Sequence, residues 1–510
     1  VNGTNSNSSN PQVKFKNRGD YKVQLITNIQ GQTILTEKSI QVTFLRENVF
    51  DIGMVTACKQ SCPVKWFDYD NDGDLDLIQC VLPLLRIKPE PVTILYQNVA
   101  GNFIKTEGVF PSSYNGSIST FDYDNDGFLD VFITGQSNST HVLKNYSGRS
   151  FKEVFVGLPQ LASGTIMPGD FNNDGWMDLL MFGKNYLVSR TLFNYYIFQN
   201  QNGNFSLVFK DSTETNELYR NENIADFADL DNDGDLDIAF HEVTSNDSIN
   251  GIKLLLNDQG SFSKSAYILK GLGEGAIRCG DFDNDGDVDI LSSSEKGISI
   301  LINTNSVFAQ RTLSDDGIFW NRITCNDFNN DGKLDFFISS STQYPLYYSN
   351  NHPNYNVLNL LSSQRIGIDT HSGDYNGDGY ADLAISNEIN RNYQGKLGFT
   401  KNISPSVPKN LKYLINGDSV TFSWDKSIDN QTPQDGLSYN LMVGTSPDKM
   451  DIVSPQSDLA TGKRRIVEIG NVFLNTSWTI HDLDFGTYYW SVQAIDNACE
   501  GSAFAPEDSF

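Results

Sequence analysis

The sequence predicts an all-β chain: a seven-bladed β-propeller with calcium loops, flanked by smaller β-sandwich modules. Three observations predict it. An Asp-rich nonapeptide, D-x-[D/N]-x-D-G-x-x-D, begins at Asp68, Asp122, Asp170, Asp229, Asp281, Asp327 and Asp374. The six intervals from Asp68 to Asp374 average 51 residues, the length of a four-stranded sheet with its turns. Each copy then runs into a short apolar stretch with no helical periodicity. A unit that cannot bury its own apolar faces must stack on copies of itself.

The nonapeptide reads as a metal loop. Oxygen-bearing side chains at positions 1, 3 and 5 curl around one hard cation, as in the first half of an EF-hand loop. These are Asp68, Asp70 and Asp72 in the first copy, then Asp122, Asp124 and Asp126, and Asp170, Asn172 and Asp174. The later copies supply Asp229, Asp231 and Asp233; Asp281, Asp283 and Asp285; Asp327, Asn329 and Asp331; and Asp374, Asn376 and Asp378. Gly at position 6 permits the sharp turn. Position 7 is expected to offer its backbone carbonyl, and its side chain varies freely: Asp74, Phe128, Trp176, Asp235, Asp287, Lys333 and Tyr380. Position 9 is always Asp: Asp76, Asp130, Asp178, Asp237, Asp289, Asp335 and Asp382. Plain Asp/Asn/Gly turns need no carboxylate there. About seven Ca²⁺ sites are therefore expected, weaker where Asn172, Asn329 and Asn376 lower the ligand charge. Position 12 is never the Glu of an EF-hand.

The strands follow in order. After position 9 come runs such as Val131-Phe132-Ile133 and Phe336-Phe337-Ile338, apolar enough to be buried on both faces. A third strand ends in Asn98, Asn145, Asn200, Asn257, Asn303, Asn350 and Asn402. An aromatic opens the fourth: Phe103, Phe151, Phe205, Phe262, Phe308 and Tyr355. The seventh unit lacks its fourth strand, while 47–54, with Phe50, is a strand without a blade. Placing 47–54 on blade seven, beside the strand ending near Asn402, closes the ring and removes two sheet edges.

These repeats resemble the FG-GAP/VCBS repeats of integrin-α-type propellers and of bacterial surface proteins, over residues 47–403. The resemblance implies Ca²⁺ in the loop between the first two strands of each blade and ligands on the opposite face. Residues 1–46 resemble the second half of a PKD-type sandwich, through Val13-Lys14-Phe15, Tyr21-Lys22-Val23 and Ile40-Gln41-Val42. Residues 405–510 resemble a fibronectin type III module, with Trp424 on its second strand and Tyr488, Trp490, Val492 and Ala494 facing inward. Both flanks are expected to act as spacers. The chain begins at Val1 without an initiator Met or signal peptide, so further domains of the same polypeptide are expected before it.

With 63 acidic and 37 basic residues the net charge is −26, which excludes nucleic acid as a partner. No apolar run approaches the roughly 20 residues that cross a bilayer. Cys58, Cys62 and Cys80 allow one disulfide of open pairing, and Cys279 and Cys325 read as inner-strand thiols. Five histidines lie in no catalytic motif, and His241-Glu242 reads as a solvated loop end. The expected function is non-catalytic: a secreted or cell-surface module, in a bacterial envelope, that binds protein or carbohydrate. Tyr186, Tyr219, Arg220, Phe319 and Trp320 are the candidate ligand contacts, as flat aromatics with polar neighbours. The alternatives are a polysaccharide lyase or glycosidase on the propeller, or a passive part of a surface assembly.

Overall fold

A computed structural model of the chain turns each apolar run after position 9 into the second strand of an antiparallel sheet. It describes residues 19–29, 32–42, 63–81, 92–107, 110–111, 116–135, 139–185, 192–214, 224–242, 251–270, 275–318, 321–340, 345–359, 369–385, 388–390, 392 and 398–510. In all seven blades these second strands are buried along their whole length, from Asp76–Val81 in blade one to Asp382–Ile385 in blade seven. That is why they alternate so little in sequence: both faces lie against neighbouring sheets.

Blades one to six each have four strands, joined in simple up-and-down order. Blade five is representative, with Gly275–Gly280, Asp289–Ser294, Gly297–Thr304 and Val307–Ser314. The first strand lies innermost and the fourth is largely exposed. Blade seven has three strands among the described residues, Thr370–Gly373, Asp382–Ile385 and Glu388–Asn390. The segment 47–54, expected to complete it, lies outside the described residues. The innermost strands touch in turn around the ring, and Thr370–Gly373 meets Val64–Phe67 to close it. At that junction Val64 N donates to Asp369 Oδ2 (2.7 Å) and Trp66 N to His371 Nδ1 (3.1 Å).

Residues 409–510 form two three-stranded sheets around Phe422, Trp424, Tyr439 and Trp490, all buried. Trp424 sits on the second strand as expected. Tyr488, Trp490, Val492 and Ala494 are buried, yet so are Ser491 and Gln493 between them. The second face is polar but covered: Gln493 accepts from Asn440 and Ser457 and donates to the carbonyls of Gly462 and Ser502. Of 1–46, only a hairpin of Gly19–Ile29 with Gln32–Val42 is described. Among the described residues the one helix is a 3₁₀ turn at Gln434–Gly436, and no helix is long and apolar enough to cross a membrane.

Candidate metal centre

Each acidic loop is wound on its own first residue. In all seven copies the position 1 carboxylate accepts the N–H of position 5 on one oxygen and that of the position 6 glycine on the other. The glycine holds a φ between 83° and 98°, where a side chain is strained. Position 4 is Asn in six copies and is also left-handed, at φ from 54° to 60°. Asn tolerates that region better than most residues.

The winding converges carboxylates. Ligand-capable oxygens lie within 4.8 Å of one another in Asp68/Asp70/Asp76, Asp122/Asp124/Asp130, Asp229/Asp231/Asp233 and Asp281/Asp283/Asp285. One side-chain oxygen of position 3, Oδ1, is buried without a hydrogen-bond partner in six loops: Asp70, Asp124, Asp231, Asp283, Asn329 and Asn376. A buried acceptor left unpaired costs on the order of 1–3 kcal/mol, so six at one repeat position point to something outside the chain. Burial, reinforced by neighbouring carboxylates, raises Asp68 to about 7, Asp122 to about 6 and Asp237 to about 8. The donor set is all oxygen, the chemistry of a hard cation. Positions 1, 3, 5 and 9 would hold Ca²⁺, which would cancel the repulsion between them.

Position 9 has a second task. Its Oδ1 accepts the N–H of the Asn that ends the third strand, at 2.5–2.7 Å in every blade. The Nδ2 of that Asn donates to the position 8 carbonyl of its own loop and to the position 2 carbonyl of the preceding blade. In blade seven this residue is Asn392, not the Asn402 that the spacing of the other blades predicts. Asn402 instead donates to Asp496. The short third strand, Glu388–Asn390, brings the Asn ten residues earlier than expected.

Two further joints run between blades. The position 4 Asn donates to the position 6 carbonyl of the next loop at six junctions, from Asn71 onto Gly127 to Asn330 onto Gly379. At four junctions a position 2 aromatic packs on the fourth-strand aromatic of the following blade, as in Tyr375–Phe103 (5.7 Å) and Phe171–Phe262 (5.1 Å). The position 4 role was missed from sequence, although Asn recurs there in six of the seven copies.

The loops are not alike in charge. Lys144, one residue before the Asn of blade two, reaches Asp124 and lies 3.1 Å from Asp126. The equivalent residue in blade one, Gln97, donates to Asp70 at 2.9 Å.

The loop face is covered. Far from standing off as a spacer, the 405–510 module packs its own apolar residues Val453 and Trp478 into one cluster with Leu230 and Val288 of the propeller. It roofs a central cavity of about 230 Å³ whose walls include Asp226, Arg278, Asp369 and His371. Cys279 and Cys325 line this cavity from inner strands, and burial raises both thiols above their ordinary range. Cys80 Sγ lies 3.1 Å from Thr93 Oγ1, while Cys58 and Cys62 lie outside the described residues. His241-Glu242 is not the solvated loop end expected from sequence: both are buried within strand Asp237–Glu242, burial lowers His241 to about 4, and Glu242 pairs with Lys253 at 2.6 Å. The strand runs two residues past the apolar run Ile238-Ala239-Phe240 that marks it in the sequence. Tyr186, Tyr219, Arg220, Phe319 and Trp320 all lie outside the described residues.

The FG-GAP-like repeat family matches five times, over residues 68–133, 122–181, 170–240, 281–338 and 327–385. The chain belongs to the FG-GAP-like repeat family. Each family match runs from one acidic loop to the buried strand beyond the next, so the family's unit coincides with the loop-and-strand pair derived above. No curated protein sequence matches this FG-GAP chain. Among solved structures it is similar to an Agrocybe aegerita lectin that recognises non-reducing terminal N-acetylglucosamine (TM-score 0.43, 17% identity, covering 60% of this chain and 82% of that one). It is also similar to the extracellular domain of a one-component system from B. thetaiotaomicron (TM-score 0.41, 11% identity, 95% and 60%). A third likeness is to the Aleuria aurantia lectin in complex with α-methyl-L-fucoside (TM-score 0.33, 11% identity, 58% and 94%).

Proposed function

We propose that the chain is a non-catalytic, calcium-stiffened binding module of the cell surface or extracellular space, taking protein or carbohydrate on the face opposite its acidic loops. The observation that carries the calcium part is the set of six buried, unpartnered position 3 oxygens. Oxygen-only cages of this kind in extracellular modules suit the roughly 10⁻⁴–10⁻³ M calcium range. Placement of the ligand is supported by the covered loop face: the 405–510 module already occupies it. The fibronectin type III reading of that module is supported by Tyr488 Oη donating to the Asp484 carbonyl at 2.9 Å, as in a tyrosine corner.

Melting with and without a chelator tests the calcium part. Saturating a site at 100 times its Kd stabilises the fold by about 2.7 kcal/mol, so several sites give a shift of many degrees. An unchanged melting temperature would sink it. A glycan array and a pull-down from cell envelope then separate carbohydrate from protein as the ligand; a bound oligosaccharide cleaved during the assay would instead favour the lyase or glycosidase.

A further inference from the structure

The 405–510 module meets the ring largely through loop atoms that a cation would organise. Ser454 Oγ donates to Asp170 Oδ2 at 2.6 Å, and Asn475 Nδ2 to Asp281 Oδ2 at 2.8 Å. Both acceptors are position 1 carboxylates. Asn497 Nδ2 donates to Asn330 Oδ1 and to the Gly379 carbonyl, and its own carbonyl accepts the N–H of Asp374. Asp122 N donates to the Arg465 carbonyl, and His481 N donates to the Asn232 carbonyl. The guanidinium of Arg465, 8% exposed, sits among the charges of Asp122, Asp170 and Asp174. A Cβ on Gly234 or Gly379 would strike the carbonyl of Ile452 or Gln431 at 2.6 Å or 1.9 Å, so the seat also needs the tight glycine turn of the loop.

We propose that calcium in these loops seats the 405–510 module, and that its withdrawal loosens the module from the ring and uncovers the central cavity on that side. The proposal rests on the calcium reading above. Without a cation, three carboxylates within 4.8 Å of one another, as in Asp281/Asp283/Asp285 beneath Asn475, repel one another. The loop then relaxes by spreading, which displaces the acceptors that Ser454, Asn475 and Asn497 need. Coupling of this kind is reciprocal: a docked module must tighten calcium by the factor by which calcium tightens docking. The apolar contact of Val453 and Trp478 with Leu230 and Val288 opposes release, so the loosened state is a population and not a complete separation.

The test uses the full chain. Calorimetry with calcium reports binding; hydrogen exchange at the amides of Ser454 and His481, which donate across the seam to Asn173 Oδ1 and the Asn232 carbonyl, reports docking together with X-ray scattering. Chelation is expected to speed exchange at those amides at least tenfold and to enlarge the scattering radius. The variant Ser454→Ala/Asn475→Ala/Asn497→Ala keeps every loop carboxylate and is expected to bind calcium several-fold more weakly. Binding heat with unchanged exchange and radius overturns the seating proposal alone. No binding heat overturns the calcium reading and the seating together.

Discussion

At the residue scale, the Asn that ends each third strand does more than a turn residue. Asn98 makes four bonds at once inside a site with no exposure: it donates to Asp76 and to the carbonyls of Leu75 and Tyr375, and its Oδ1 accepts the N–H of Gly101. Replacing it with Ala strands two buried carbonyls, and each orphan costs on the order of 1–3 kcal/mol. Asn98→Ala is therefore expected to lower the urea midpoint by an amount equivalent to about 2–5 kcal/mol; a loss below about 0.5 kcal/mol would contradict the bonding described. Lys144 is the second case. It brings a positive charge to Asp124 and Asp126, so it competes with a cation for those oxygens. Lys144→Gln, which copies Gln97 of blade one, is expected to tighten one calcium site by tenfold or more. A calcium titration in which no site changes would refute the competition.

At the scale of the loop and its strands, charge decides the response to pH. Asp68 stands near 7, Asp237 near 8 and Asp130 near 9 in the folded chain, each pushed up chiefly by burial. Their unfolded values lie near 4. From about pH 4 to 9 the metal-free folded state then binds more protons than the unfolded state, and stability falls as pH rises. In a chelator the urea midpoint is expected to drop between pH 5 and pH 8. With saturating calcium the same carboxylates are held ionised, and the trend flattens or reverses. A chelated protein that grows more stable from pH 5 to pH 8 would rule this out. The elements themselves are legible because the repeat states loop and fully buried strand seven times and the closing aromatic six times. Fixed spacing makes Phe103 and Tyr355 readable as fourth-strand openings; the structure adds that they pair with Asn98 and Asn350. Asn392 was not legible, because blade seven shortens its third strand and Asn402 offered a decoy at the usual distance.

At the scale of the molecule, the ring count followed from the repeat count, but the covering of the loop face did not. Contacts such as Ser454 with Asp170 join residues 284 apart, and nothing in either segment announces the other. Periodicity reports what each unit does with its neighbour; it is silent on what a different module does with the whole ring. The position 9 carboxylates show the same limit in miniature. Their constancy fits a ligand signature, and the bond to the third-strand Asn is an equally strong reason for it.

Blade seven also lacks one joint the others share. Its loop carries Gly377 where six others carry Asn, and the Thr400 carbonyl lies where a side chain would begin, 1.7 Å from a built Cβ. No amide therefore reaches from that loop to Gly73, and the loop circuit has six staples for seven gaps. A torus fastened unevenly gives way first at its seam. Under load or in dilute denaturant, the boundary between the seventh and first blades is where the molecule should begin to unclasp, with its hydrogen-exchange protection lost there before anywhere else on the rim.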